Sequence, residues 1–80
     1  MPKLRVITAK ELIKFFEEQG FVIDRQKGSH IILIRKKENE SQRLVIPNHK
    51  ELDRGTAYSI YKKSKEYLPD LETRKFFYNE

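Results

Sequence analysis

With 80 residues the chain is sized for one domain, and it buries only about 60% of the surface it would expose unfolded, so an active site has to be shallow and built from few residues. The absence of cysteine excludes a disulfide scaffold, a thiolate nucleophile and sulfur-ligated metal clusters. Its 17 basic and 12 acidic side chains give a net charge of +5, and 36% charged with 38% hydrophobic residues describes a folded, strongly ionic domain.

In chain order, the opening Met1 to Arg5 lacks the apolar stretch of a secretory signal, and no apolar run approaches the ~18 residues of a membrane span. A cytoplasmic, membrane-free protein is therefore expected. Thr8-Ala9-Lys10-Glu11 is a capping box, and Ala9, Leu12, Ile13 and Phe16 follow at the spacing of one helical face. Gly20 supplies the left-handed stop, which places the first helix over residues 9–19. Residues 21–26 read as a strand, Lys27-Gly28 as a hairpin turn, and residues 29–35 as a β-branched second strand. Residues 36–41 read as a polar loop and 42–46 as a third strand ended by Pro47. After a polar connection over 48–55, Thr56 is expected to cap a second helix with the stripe Ala57, Ile60, Tyr61 and Leu68. Pro69-Asp70 breaks it, and Asp70 is the expected cap of a short last helix ending in Phe76-Phe77-Tyr78.

The resulting fold class is α+β, in the order α-β-β-β-α. Short connections imply a three-stranded antiparallel sheet with two helices on one face. Ile31 to Ile34 are four consecutive apolar residues, so side chains project to both faces of that sheet. The second face is then covered either by the C-terminal tail or by another chain.

Charge is distributed in blocks. Residues 25–37 hold Arg25, Lys27, Arg35, Lys36 and Lys37 with no acid, and residues 54–65 hold Arg54, Lys62, Lys63 and Lys65 with no acid. Two acid-free basic blocks point to a polyanion such as nucleic acid. The start of the second helix, at Arg54 and Thr56, is suited to a phosphate.

Walker, Rossmann and nucleophile-elbow patterns are absent, and the two histidines, His30 and His49, lack a metal-ligand spacing. No metal and no small-molecule cofactor is expected. Gly28-Ser29-His30 is the remaining candidate for chemistry, beside the plainer reading of His30 as a strand histidine exposed at a sheet end. Glycine permits a tight turn and close approach of a ligand, and imidazole is the side chain best suited to proton transfer near neutral pH. Cleavage of RNA without a metal needs a base for the ribose 2′-OH and cations for the charge added at phosphorus.

Gly20-Phe21, Arg25-Gln26-Lys27-Gly28-Ser29-His30, Val45-Ile46-Pro47-Asn48-His49, Gly55-Thr56 and Ile60 together resemble the HicA family of toxin–antitoxin toxins. The resemblance spans about 8–67 of a single domain 1–80, leaving 68–80 as a C-terminal extension. It implies a double-stranded-RNA-binding-like fold and a ribosome-independent mRNA interferase neutralised by a HicB-like antitoxin, with the family's catalytic histidine falling on His30. With no metal-ligand pattern and one well-placed imidazole, the expected activity is a metal-independent cleavage that leaves a 2′,3′-cyclic phosphate and a 5′-OH. Alternatives are a non-catalytic RNA-binding module and an inactive homologue that only binds an antitoxin. The expected RNA contacts are Lys27, Gly28, Ser29, Arg35, Lys36, Lys37, Arg54, Thr56, Lys62 and Lys63. The general acid is left among His49, Lys27 and water. The antitoxin is expected to occlude His30, meeting Arg35, Lys36 and Lys37 with acidic groups and using the Ile31–Ile34 and Phe76–Tyr78 apolar surfaces.

Overall fold

The computed structural model describes residues 3–79, so Met1, Pro2 and Glu80 of the expected 1–80 domain lie outside the described residues. The elements are β1 (Lys3–Leu4), α1 (Ala9–Glu18), β2 (Val22–Lys27), β3 (His30–Lys37), β4 (Glu40–Pro47), α2 (Arg54–Ser64), α3 (Asp70–Phe77) and β5 (Tyr78–Asn79). The α-β-β-β-α order and the antiparallel β2-β3-β4 sheet are as the sequence predicts.

Local chemistry sets the ends of α1. The Thr8 hydroxyl accepts from the Glu11 N–H at 3.1 Å, and the Glu11 carboxylate accepts from the Thr8 N–H at 3.0 Å. At the other end Gly20, with φ +101°, lets its own N–H reach the Glu17 carbonyl while Phe21 N–H reaches Phe16, both at 3.0 Å. The helix therefore turns directly into β2.

Three boundaries differ from expectation. β3 and β4 extend through Lys36-Lys37 and Glu40-Ser41 and close around residues 38 and 39, so the expected loop is mostly paired strand. Solvent-facing side chains at a strand end impose no cost on the ladder, which is why polarity misled there. The cap of α2 is Asp53 rather than Thr56: the carboxylate of Asp53 accepts from the Thr56 N–H at 2.7 Å and from its hydroxyl at 3.1 Å. The cap of α3 is Pro69, with no side-chain cap bond, rather than Asp70.

One core gathers on one face of the sheet. Leu12 and Phe16 of α1 and Ala57, Ile60 and Tyr61 of α2 meet Ile31, Leu33, Leu44 and Ile46 of the strands. The contiguous Phe76-Phe77-Tyr78 joins this side rather than forming a surface patch. Phe76 stacks on Phe15 with ring centres 4.2 Å apart, Phe77 is fully buried, and Tyr78 is half-buried against Tyr61. A short antiparallel β1–β5 pairing, Leu4 to Tyr78, ties this end to the N-terminal segment. The C-terminal segment thus seals the helical layer, and no described element covers the second sheet face.

Candidate functional site

Side chains alternate along a strand, and paired residues share a face. The register His30↔Lys27, His30↔Pro47, Ile32↔Arg25, Ile32↔Val45, Ile34↔Val22 and Ile34↔Arg43 places all of these on the face away from the helices. Val22 is 57% exposed and Val45 39%. Ile32 is nonetheless buried, flanked across the ladder by Arg25 and Val45.

His30 starts β3, at the exposed corner of this face. The turn before it has only two residues, and Gly28 takes φ +62°. A Cβ at Gly28 would meet nothing within 4 Å, so glycine is needed there for its backbone angle rather than for space. Gln26 Nε2 donates to the Gly28 carbonyl at 3.0 Å, and the Asn48 N–H donates to the Ser29 carbonyl at 2.6 Å. The turn is therefore fastened to the segment that follows β4. Lys27, directly across the ladder from His30, is exposed on the same face.

A shallow concavity of about 550 Å³ opens between this corner and the first turns of α2, lined by His30, Pro47, Asp53, Thr56 and Ser59 among others. The expected phosphate position at the helix start already holds the protein's own anion. Hydrogen bonds from the Thr56 backbone and hydroxyl hold the Asp53 carboxyl below its usual range, and the charge of nearby His49 adds to this. Arg54 is exposed just beyond, facing a separate hollow with Tyr58 and Tyr78.

The remaining expected residues divide. Arg35 lies on the packed face, where it is half-buried. Its Nε donates to Gln42 at 2.7 Å, and its two terminal nitrogens donate to the Gln19 and Tyr67 carbonyls at 2.8 Å each. With its guanidinium 4.9 Å from the Phe21 ring centre, it clamps α1, β4 and the α2–α3 connection together. Lys36 and Lys37 are exposed at the far end of β3, Lys37 seven residues and roughly 24 Å from His30. Lys62 sits over the Tyr58 ring at 5.7 Å. Lys63 reaches Glu66 at 3.3 Å, and its hydrogen bonds to Tyr67 and then Glu66 raise its pKa. His49 lines a hollow beside Thr8 and Lys10 and also lies near Asp53, at the edge of the His30 concavity.

Arg43, Ser59 and Asp53 escaped the sequence reading. Arg43 was legible in principle: Pro47, Val45 and Arg43 follow at every second residue of one strand and so share the face of His30. Among the described residues no group of three or more His, Cys, Asp or Glu is arranged to hold a metal ion. No helix among them is long and apolar enough to cross a membrane.

No curated protein and no solved structure gives a significant match to the chain. The family model described as the HicA toxin of bacterial toxin–antitoxin systems matches residues 9–65, from the first residue of α1 to just past the end of α2 and through the whole His30 corner. On that match the chain belongs to the HicA toxin family.

Proposed function

We propose that this toxin is a cytoplasmic endoribonuclease that cuts mRNA by internal transesterification, with His30 as general base. The observation that carries the reading is the position of His30: exposed, beside Lys27, at the mouth of a concavity between the β4 edge and the first turns of α2. In this reading the imidazole removes the ribose 2′-OH proton and the 2′-oxygen attacks the adjacent phosphorus. The P–O5′ bond breaks, leaving a 2′,3′-cyclic phosphate and a 5′-OH. Lys27 stabilises the charge added at phosphorus. The proton for the leaving 5′-oxygen is supplied by Lys27, which shares the face of His30, or by water. The test is incubation of end-labelled mRNA in EDTA with native and His30→Ala protein. Native protein should cut and the variant should lose about 10²- to 10⁴-fold in rate. Equal rates would overturn the assignment, and a binder without activity would retain RNA but cut nothing.

A toxin of this family works with an antitoxin. We place that antitoxin on the uncovered face, where Val22, Ile34 and Val45 offer apolar area edged by Arg25, Lys27 and Arg43. Such a patch fits a partner with apolar centre and acidic rim, and its seat would cover His30. Arg35 and Phe77 are spent on the fold and drop out of the expected contact set. In a pull-down, Val22→Asp should weaken antitoxin capture while His30→Ala keeps it. Capture unaffected by Val22→Asp would place the antitoxin elsewhere.

A further inference from the structure

The His30 concavity does not end at α2. A second hollow of about 500 Å³ shares Val45, Ser59 and Ile60 with it and continues along the line where β4 meets α2, out to Arg43, Lys63 and Tyr67. The two hollows form one groove with His30 at one end and two cations at the other. Resting on the endoribonuclease reading, we infer that this groove is the track for a single RNA strand, and that Arg43 and Lys63 hold its backbone a few nucleotides from the cut.

Three features select that occupant. The spacing is matched on both walls. Arg43 lies four strand residues from Pro47, the partner of His30, which is about 13 Å, and Lys63 lies seven helical residues from Thr56, which is about 10 Å. A stacked strand advances about 3.4 Å per nucleotide, so the two cations stand about three to four nucleotides from the cut. The floor between them is apolar, formed by Val45, Ile60 and the half-buried Tyr67, which suits bases rather than phosphates. No acidic side chain lines the outer hollow; Glu66, which Lys63 reaches at 3.3 Å, stands outside that lining. Arg43 is exposed, with no hydrogen bond or ion pair among the described residues.

Chemistry argues against a duplex: attack of a 2′-oxygen in line with the leaving 5′-oxygen requires a ribose freed from the regular A-form helix, and the apolar floor suits unpaired bases. A fold that resembles duplex-binding domains is thus used here for an unpaired strand.

The test uses full-length His30→Ala protein, so that RNA stays intact, and a fluorescent single-stranded RNA octamer beside a hairpin duplex of equal charge. Arg43→Ala should weaken octamer binding about tenfold and lower its salt slope by about one. Arg43→Lys should recover most of the loss, and Lys14→Ala, which removes an exposed charge on α1, should change it less than twofold. Amide signals of Val45, Ser59, Ile60 and Tyr67 should shift when the octamer is added to ¹⁵N-labelled protein. Equal effects of Arg43→Ala and Lys14→Ala, or tighter binding of the hairpin, would overturn the groove while leaving endoribonuclease activity standing. Loss of antitoxin capture in Arg43→Ala with RNA binding intact would assign the groove to the protein partner. If the native chain neither bound nor cut RNA, the activity reading would fail first and this inference with it.

Discussion

The two faces of the three-stranded sheet are made from neighbouring residues of the same strands, yet they have opposite fates. Ile31, Leu33, Leu44 and Ile46 enter a core closed by α1, α2 and the C-terminal aromatics. His30, Ile34, Val45 and Arg43, one step along in register, face away from the packed core. The contrast teaches that in so small a domain one face supplies the stability and the other is released for contact with other molecules.

The comparison breaks most visibly at the core. Leu33→Ala should cost about 2–5 kcal/mol in urea denaturation, because Leu33 is fully buried in the core. A loss below 1 kcal/mol would mean the packed face is not where the stability resides. Next comes Arg35→Ala, which strands the Gln19 and Tyr67 carbonyls and should cost about 2–3 kcal/mol. Arg35→Lys should recover only part, since an ammonium cannot reproduce the planar fork. Full recovery would reduce the clamp to a simple charge. Thr8→Ala, which removes half of the capping box, should cost about 1 kcal/mol by the same measurement. On the open face, Val22→Ser should stay within about 0.5 kcal/mol. A larger loss would show that this face is covered in solution.

Acid sharpens the picture on the helical side. Hydrogen bonds from the Thr8 backbone and hydroxyl hold Glu11 below its ordinary 4.5, and those from Thr56 hold Asp53 below 3.8. A lowered folded-state pKa adds stability that is present above these ordinary values and lost as pH falls through the lower folded ones. Glu11→Gln and Asp53→Asn should each flatten the fall of melting temperature below about pH 4.5. An unchanged slope would remove the caps from the account.

What the sequence disclosed and what it concealed follow the range of the interactions. The Thr8 box, the Gly20 stop and the Gly28 turn involve residues within five positions of each other, and all three were legible. The cap of α2 was not, because Asp53 and Thr56 are both competent caps three residues apart and only geometry shows that one bonds the other. Phe76 to Tyr78 formed no stripe, since their packing uses a helix end and a strand in succession. Arg35 looked like part of a basic block, but its partners are carbonyls 16 and 32 residues away, invisible to any local pattern. His30 stood out through its turn. The groove beside it did not, since it joins two elements that a polar connection separates in the chain.

The central claim is that the uncovered face carries a histidine that uses the substrate's own 2′-oxygen. It is tested most directly with an RNA containing a single 2′-deoxy nucleotide on the 5′ side of a mapped cleavage position. The account predicts that native protein leaves that bond intact while cutting the all-ribose control to a 2′,3′-cyclic phosphate and a 5′-OH. Cleavage at the deoxy position, with a 5′-phosphate on the product, would mean that water is the nucleophile and would contradict the role given to His30.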